Sequence, residues 1–188
     1  MLSLISTPIG NLDDISLRAI DVIKSADLIY TEDTRSFKKI LDSIECKKKC
    51  KSFHEHNEDI ICKEIIKHLK NKKHVVLTCE AGTPAISDPG YKLIRECLNL
   101  NLKYTLIPGP SSLINAVVLS GLPTDKFSFY GFIPKKNNAR QKLFQKVSND
   151  EKTAIMFESV KRLRKTIISI SKHLDNNRHI SVCREMTK

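Results

Sequence analysis

The sequence predicts an α/β protein of mostly parallel sheets flanked by helices, and three observations carry that expectation. Short apolar runs alternate with segments of helical period along the chain, as in strand–helix–strand units. Three of those runs end in turns built from Pro, Gly and small polar residues. The 188 residues, 40% of them hydrophobic, suffice for a packed core, yet no apolar run approaches the roughly 18 residues that a membrane helix needs.

The elements follow in chain order. Leu2-Ser3-Leu4-Ile5-Ser6 reads as a first strand running into Thr7-Pro8-Ile9-Gly10-Asn11. Ile15, Ala19, Ile20 and Ile23 then recur at helical spacing, and Asp27-Leu28-Ile29-Tyr30 gives a second strand just before Glu32 and Asp33. Ile61, Cys62, Ile65, Ile66 and Leu69 mark another helix. A strand over 74–78 enters the turn Cys79-Glu80-Ala81-Gly82-Thr83-Pro84-Ala85-Ile86-Ser87-Asp88-Pro89-Gly90, whose Ser87-Asp88-Pro89 reads as a cap and first-turn proline. Tyr104-Thr105-Leu106-Ile107 runs into Pro108-Gly109-Pro110-Ser111-Ser112.

Ser120-Gly121-Leu122-Pro123-Thr124 closes a helix and is the expected boundary between an N-terminal domain, residues 1–120, and a C-terminal domain, residues 121–188. Strands are expected there at 127–130, 153–157 and 179–182. Val160, Leu163, Ile167, Ile170 and Leu174 give the most regular helical period of the chain. No internal repeat or low-complexity segment interrupts this order.

A buried strand that stops in a small-residue turn leaves backbone N–H and C=O groups unpaired, and in parallel α/β folds that rim is where ligands bind. Proline fixes φ there and glycine lets a ligand approach the main chain. The expectation is therefore a small molecule held by three turns, the alternative being three ordinary strand–helix connections. Neither GxGxxG nor GxxxxGK[ST] occurs, which argues against a dinucleotide fingerprint and a P-loop.

The net charge of +11, from 32 Lys and Arg against 21 Asp and Glu, suits a polyanionic partner. The alternative is a compositional bias: richness in Lys, Ile and Asn of the kind expected from an AT-rich genome would by itself raise the charge. Six cysteines contain no CxxC and read as reduced thiols of a cytoplasmic protein. Met1–Ser6 lacks the basic and long apolar regions of a signal peptide.

Glu32 and Asp33 stand at a strand end, suited to proton acceptance or, paired with Arg35, to ordering their loop. His54, Glu55, His56, Asn57 and Glu58 invite a metal reading, but no third ligand falls at helix or hairpin spacing, so no metal is expected. In a strand, His54 and His56 would share one side, suited with Asn57 to grip a sugar or base edge or to hydrogen-bond the Glu32–Arg35 loop. Lys135, Lys136, Arg140 and Lys142 form a cationic loop fit for RNA phosphate or simply solvated.

Thr7-Pro8-Ile9-Gly10-Asn11-Leu12, Glu32-Asp33-Thr34-Arg35, His54 to Glu58, Ala81 to Pro84 with Ser87 to Gly90, Pro108-Gly109-Pro110-Ser111, Gly131-Phe132-Ile133-Pro134-Lys135, Glu158-Ser159 and Arg184-Glu185-Met186-Thr187-Lys188 occur in the order seen in the ribosomal RNA small-subunit methyltransferase I family, which the whole chain resembles. The resemblance implies the two-domain tetrapyrrole-methylase-like fold and usually a homodimer. It also implies S-adenosylmethionine as cofactor, bound between the domains, and S-adenosylhomocysteine as product. The implied substrate is a decoding-centre cytidine ribose of 16S ribosomal RNA, within the small subunit, methylated at its 2′-hydroxyl. By position, Ile9, Ala81, Gly82, Thr83, Ile86, Ser111, Ser112 and Glu158 are the implied cofactor contacts. Glu32 is the implied proton acceptor, with Asp33 second. Arg35, His54, His56, Asn57, Lys135 and Arg184 are expected on the substrate side. Family members continue past the Arg184–Lys188 motif, so an incomplete second domain is expected, with weak or absent activity in isolation that dimerisation partly offsets. A methylase of porphyrin-like acids and a non-catalytic RNA-binding module are the alternatives.

Overall fold

The computed structural model describes residues 1–188. The chain divides into two compact units, one of Met1–Ser112 with Glu185–Lys188 and one of Leu113–Arg184.

The first unit is built on a five-stranded sheet of order β3-β2-β4-β1-β5, comprising β1 (Leu2–Ile5), β2 (Leu28–Thr31), β3 (Cys50–Ser52), β4 (Val75–Thr78) and β5 (Tyr104–Ile107). Every ladder is parallel, with Leu4 beside Leu77 and Leu106, and Thr31 beside Thr78. All four residues of β1 and all four of β4 are buried, as central parallel strands require.

Helices cover both faces. On one side α1 (Leu17–Ser25) and α2 (Thr34–Ser43) set Ala19, Ile23, Phe37, Ile40 and Leu41 against Ile5, Ile29, Val76 and Ile107. On the other, α3 (Glu58–Lys70) and α4 (Tyr91–Asn99) set Cys62, Ile65, Leu69, Leu93 and Cys97 against Leu2, Leu4, Tyr30 and Leu77. Tyr30 is fully buried on this second face, and its hydroxyl donates to Glu64 on α3 at 2.7 Å. The strand alternation of period two thus sorts side chains into two cores.

The second unit has a two-stranded parallel sheet of β6 (Phe127–Phe132) and β7 (Thr153–Phe157), with α5 (Ser112–Leu119) leading into it from the end of the first unit. A register shift between Phe129 and Phe132 accompanies Gly131 at φ 65°, the left-handed backbone that glycine tolerates. Helices α6 (Asn137–Ser148) and α7 (Val160–Ile170) enclose Ile133, Phe144 and Ile170.

Two sequence expectations are corrected. Residues 179–182 form no strand: Ile180 and Val182 are 53% and 54% exposed, and no ladder receives them. Arg178 instead ties this segment to the end of α6, donating to the carbonyls of Val147 (2.9 Å) and Asp150 (2.8 Å). Nor does a helix start at Ser87-Asp88-Pro89. It begins at Tyr91, after Gly90 at φ 132°, while Ala85 and Ser87 take left-handed φ values of 66° and 65° that no helical turn admits.

Candidate functional site

Three loops meet at the C-terminal rim of the first sheet, and the contacts that join them are specific. The backbone of Thr7 and that of Gly82 exchange two hydrogen bonds, 2.9 and 3.0 Å, as an isolated antiparallel bridge. The Ser6 hydroxyl meets that of Thr83 at 3.1 Å, and Thr83 donates to the carbonyl of Pro110 at 3.4 Å. The loops after β1, β4 and β5 are therefore one assembly. This follows from strand order: β4 and β5 are the two neighbours of β1.

Glycine is required at the centre of that assembly. Gly82 sits at φ 85°, where a side chain is strained, and a Cβ there would stand 3.4 Å from Ile9 Cγ2. Gly109 lies so near the first loop that a Cβ would stand 3.1 Å from Ser6 Cβ and 3.2 Å from Ser6 O. Ala81 and Ile86 are exposed, Ile86 by 42%, while Ser111 is half-buried and Ser112 opens α5. The hydroxyls of Thr7, Thr31 and Thr78, at the ends of three adjacent strands, are buried and unpaired. Positive φ at the non-glycine residues Ala85 and Ser87, between Gly82 and Gly90, concentrates backbone strain in one loop, as at ligand-binding turns.

Glu32 closes β2 beside β4, and its carboxylate accepts the Glu80 amide at 3.4 Å. Burial first, then the neighbouring Asp88 carboxylate, pushes its pKa up; Asp88 is itself raised by burial. A carboxylate with raised pKa is a better proton acceptor.

Asp33 is differently placed. It caps α2, accepting the amides of Arg35 (2.8 Å) and Ser36 (3.4 Å), and it pairs with the Arg35 guanidinium at 3.3 Å. Bonding to Arg35 holds its pKa below the usual carboxylate range, and Arg35 is exposed apart from that pair. Capping is thus a role this residue already fills.

His54, His56 and Asn57 lie in a turn after β3, not in a strand. Their rings make an edge contact at 5.8 Å, with His54 Nδ1 buried and unpaired and His56 facing Glu55 at 3.4 Å. Asn57 is engaged in the turn itself, accepting from His54 N at 2.8 Å and donating to Ser52 O at 3.2 Å.

Glu158, Lys135 and Arg184 belong to the second unit. The Glu158 carboxylate is held there by Thr166 (2.6 Å), the Ser159 amide (2.7 Å) and Arg162 (3.3 Å). Lys135 is exposed just past β6. The charge is unevenly shared: the second unit holds 14 Lys and Arg against 5 Asp and Glu, net +9, and the first unit 18 against 16, net +2.

Sequence reading overlooked Ser6, Asp88 as an ionisable group, and Glu58, whose carboxylate accepts the Gly90 amide at 2.9 Å. Glu58 stood in view at the end of the His54–Glu58 run. Nothing in spacing reveals that it fastens a loop 32 residues downstream.

A family model of tetrapyrrole (corrin/porphyrin) methylases matches residues 1–188. The whole chain is 41% identical to the ribosomal RNA small subunit methyltransferase I of Halalkalibacterium halodurans, 43% to that of Rickettsia prowazekii and 41% to that of Thermotoga maritima, spanning 64%, 66% and 83% of their lengths. Against the first two it spans just under two thirds of the relative. Among solved structures, a crystal structure of diphthine synthase superposes with a TM-score of 0.68 at 15% identity, over 92% of this chain and 72% of that one, a likeness of fold.

Proposed function

Because this chain belongs to the tetrapyrrole (corrin/porphyrin) methylase family, in the group of the proteins named ribosomal RNA small subunit methyltransferase I, we propose that it methylates the ribose 2′-hydroxyl of a cytidine in small-subunit ribosomal RNA, with S-adenosylmethionine as donor. The observation that carries the reading is the stitched rim: three loops fastened through Thr7–Gly82 and Ser6–Thr83–Pro110, with an acid of raised pKa at the adjoining strand end.

The rim suits such a donor. The main chain of Ala81 and Thr83 and the hydroxyls of Ser111 and Ser112 offer polar groups for an adenosine and an amino-acid moiety, Gly82 and Gly109 let the three loops close on one another, and Ile9 and Ile86 offer apolar contact. The bound donor would supply an activated methyl group on a sulfonium. The chain's own contribution is chiefly alignment and exclusion of water, which can lower a barrier by several kcal/mol. Glu32 takes the 2′-hydroxyl proton on its carboxylate, a step worth roughly 10²–10⁴-fold. Asp33 and Asn57 hold the α2 and β3 loops in register beside it. The second unit's net +9 favours an RNA substrate through its phosphates.

The test is calorimetry with S-adenosylmethionine, then methyl transfer to small ribosomal subunits with mapping of the modified ribose. Donor binding with a single methylated cytidine ribose supports the reading. Donor binding with methyl transfer only to a porphyrin-like acid would replace it, and no donor binding would remove it.

A further inference from the structure

The outward face of α7 is the strongest unassigned feature. With 3.6 residues per turn, positions 161, 164, 165, 168 and 172 fall within about 100° of one another. They carry Lys161, Arg164, Lys165, Ile168 and Lys172, all exposed. The helical turn continues past Ile170, since Lys172 N bonds to Ser169 O at 3.3 Å and Leu174 N to Ile170 O at 3.0 Å. The four cations span roughly 16 Å.

None of the four has a carboxylate partner. Glu158 precedes the helix with its side chain only 7% exposed and occupied by Thr166 and Arg162. Asp175 follows the last turn and accepts the Asn177 amide at 2.7 Å. Like charges three and four residues apart cost a helix a few tenths of a kcal/mol per pair, so an unneutralised row is a liability unless a polyanion meets it. The row also has a continuation. Arg162 on α7 donates to the carbonyls of Ile133 (2.9 Å) and Pro134 (3.2 Å), which fixes the helix start beside the exposed Lys135 and Lys136.

We propose that this face, Lys161, Arg164, Lys165 and Lys172 continued by Lys135 and Lys136, is an RNA-backbone docking surface that binds successive phosphates without reading bases. It rests on the function proposed above only for the identity of the polyanion. A membrane surface fits less well, because Ile168 is the one apolar residue on the stripe and an interfacial helix needs an apolar face to insert.

The test uses the full chain and a fluorescein-labelled oligo(U) RNA, with anisotropy followed across about 50–300 mM salt. The K161Q/R164Q/K165Q/K172Q variant is expected to flatten the slope of log affinity against log salt by about 3, and Arg164→Gln alone by about 0.7. The K38Q/K39Q/K67Q/K70Q variant, which removes as many cations from the first unit, is expected to change it by less than about 1. Equal loss in both quadruple variants, no loss in the α7 variant, or α7-dependent binding to phosphatidylserine vesicles with RNA binding untouched would each overturn the inference. Calorimetry with S-adenosylmethionine on the same proteins keeps the two failures apart: absent donor binding with an intact RNA slope removes the methyltransferase reading and leaves the surface standing.

Discussion

Gly82→Ala tests the rim most directly. At φ 85° an added Cβ is strained whatever the space around it, and the nearest atom, Ile9 Cγ2 at 3.4 Å, is at ordinary contact distance. The penalty is therefore conformational, about 1–2 kcal/mol for a side chain in left-handed backbone. The chain can escape only by turning φ away, which breaks the two bonds to Thr7 at 2.9 and 3.0 Å, about 0.5–1.5 kcal/mol each. The strained route costs about 1–2 kcal/mol and the escape about 1–3 kcal/mol, so the cheaper one sets a loss of about 1–2 kcal/mol, a fall of about 0.5–1 M in a urea midpoint at ordinary slopes. If the bridge shapes the donor site, affinity for S-adenosylmethionine by calorimetry should drop about tenfold as well. Gly121→Ala is the matched control, with φ 72° and nothing within 4 Å of its added Cβ. It should lose similar stability and no donor affinity. Unchanged stability of Gly82→Ala would refute the backbone argument, and equal donor affinity in both variants would refute the site.

Glu32→Gln should lower methyl transfer roughly 10²–10⁴-fold while donor affinity stays within about twofold, and parallel loss of both would contradict its role as base. Because burial and then Asp88 raise the Glu32 pKa in the fold, transfer should fall on acidification through a value above that of an ordinary glutamate. The same shift means that Glu32 adds stability below its unfolded pKa and loses that contribution as pH rises through its folded one. Glu32→Gln should accordingly compare better with the wild type in urea at about pH 8 than at about pH 4, and the reverse order would show the carboxylate to be stabilised instead. Glu58→Ala leaves the Gly90 amide without its 2.9 Å partner and should cost about 1–3 kcal/mol in denaturant, with Glu58→Gln recovering most of it. Burial pushes the Cys62 and Cys97 thiols up to about 12 and about 11, so in native protein a thiol reagent should label the half-buried Cys46 and Cys183 well before them. Early labelling at Cys62 or Cys97 would mean that α3 and α4 do not seal the core.

What could be read in the sequence was what repeats locally. The four-residue apolar runs of β1, β4 and β5, each stopped by Pro and Gly, gave both the parallel fold and the rim's three turns. Strand β3, Cys50–Ser52, was hidden because its residues are intermediate or exposed. Backbone pairing with β2 makes it a strand, and the following Phe53, 1% exposed and bonded from its amide to Thr31 O, anchors it. Helix α2 went unread because its capping residue, Asp33, looked like half of an acidic pair. Residues 179–182 show the opposite failure: alternation without a neighbouring strand to accept it. The loops of the site were legible from their composition, whereas the Thr7–Gly82 pairing joins residues that no local pattern connects.

The seam from Thr7 to Gly82 is written in main-chain atoms alone, so it is indifferent to most changes of side chain around it. Ile9, Ala81 and Ile86 can be exchanged to reshape the rim while the seam stays closed, and the glycines at 82 and 109 are the positions barred from variation. Redesign of the rim has its free variables marked out in advance.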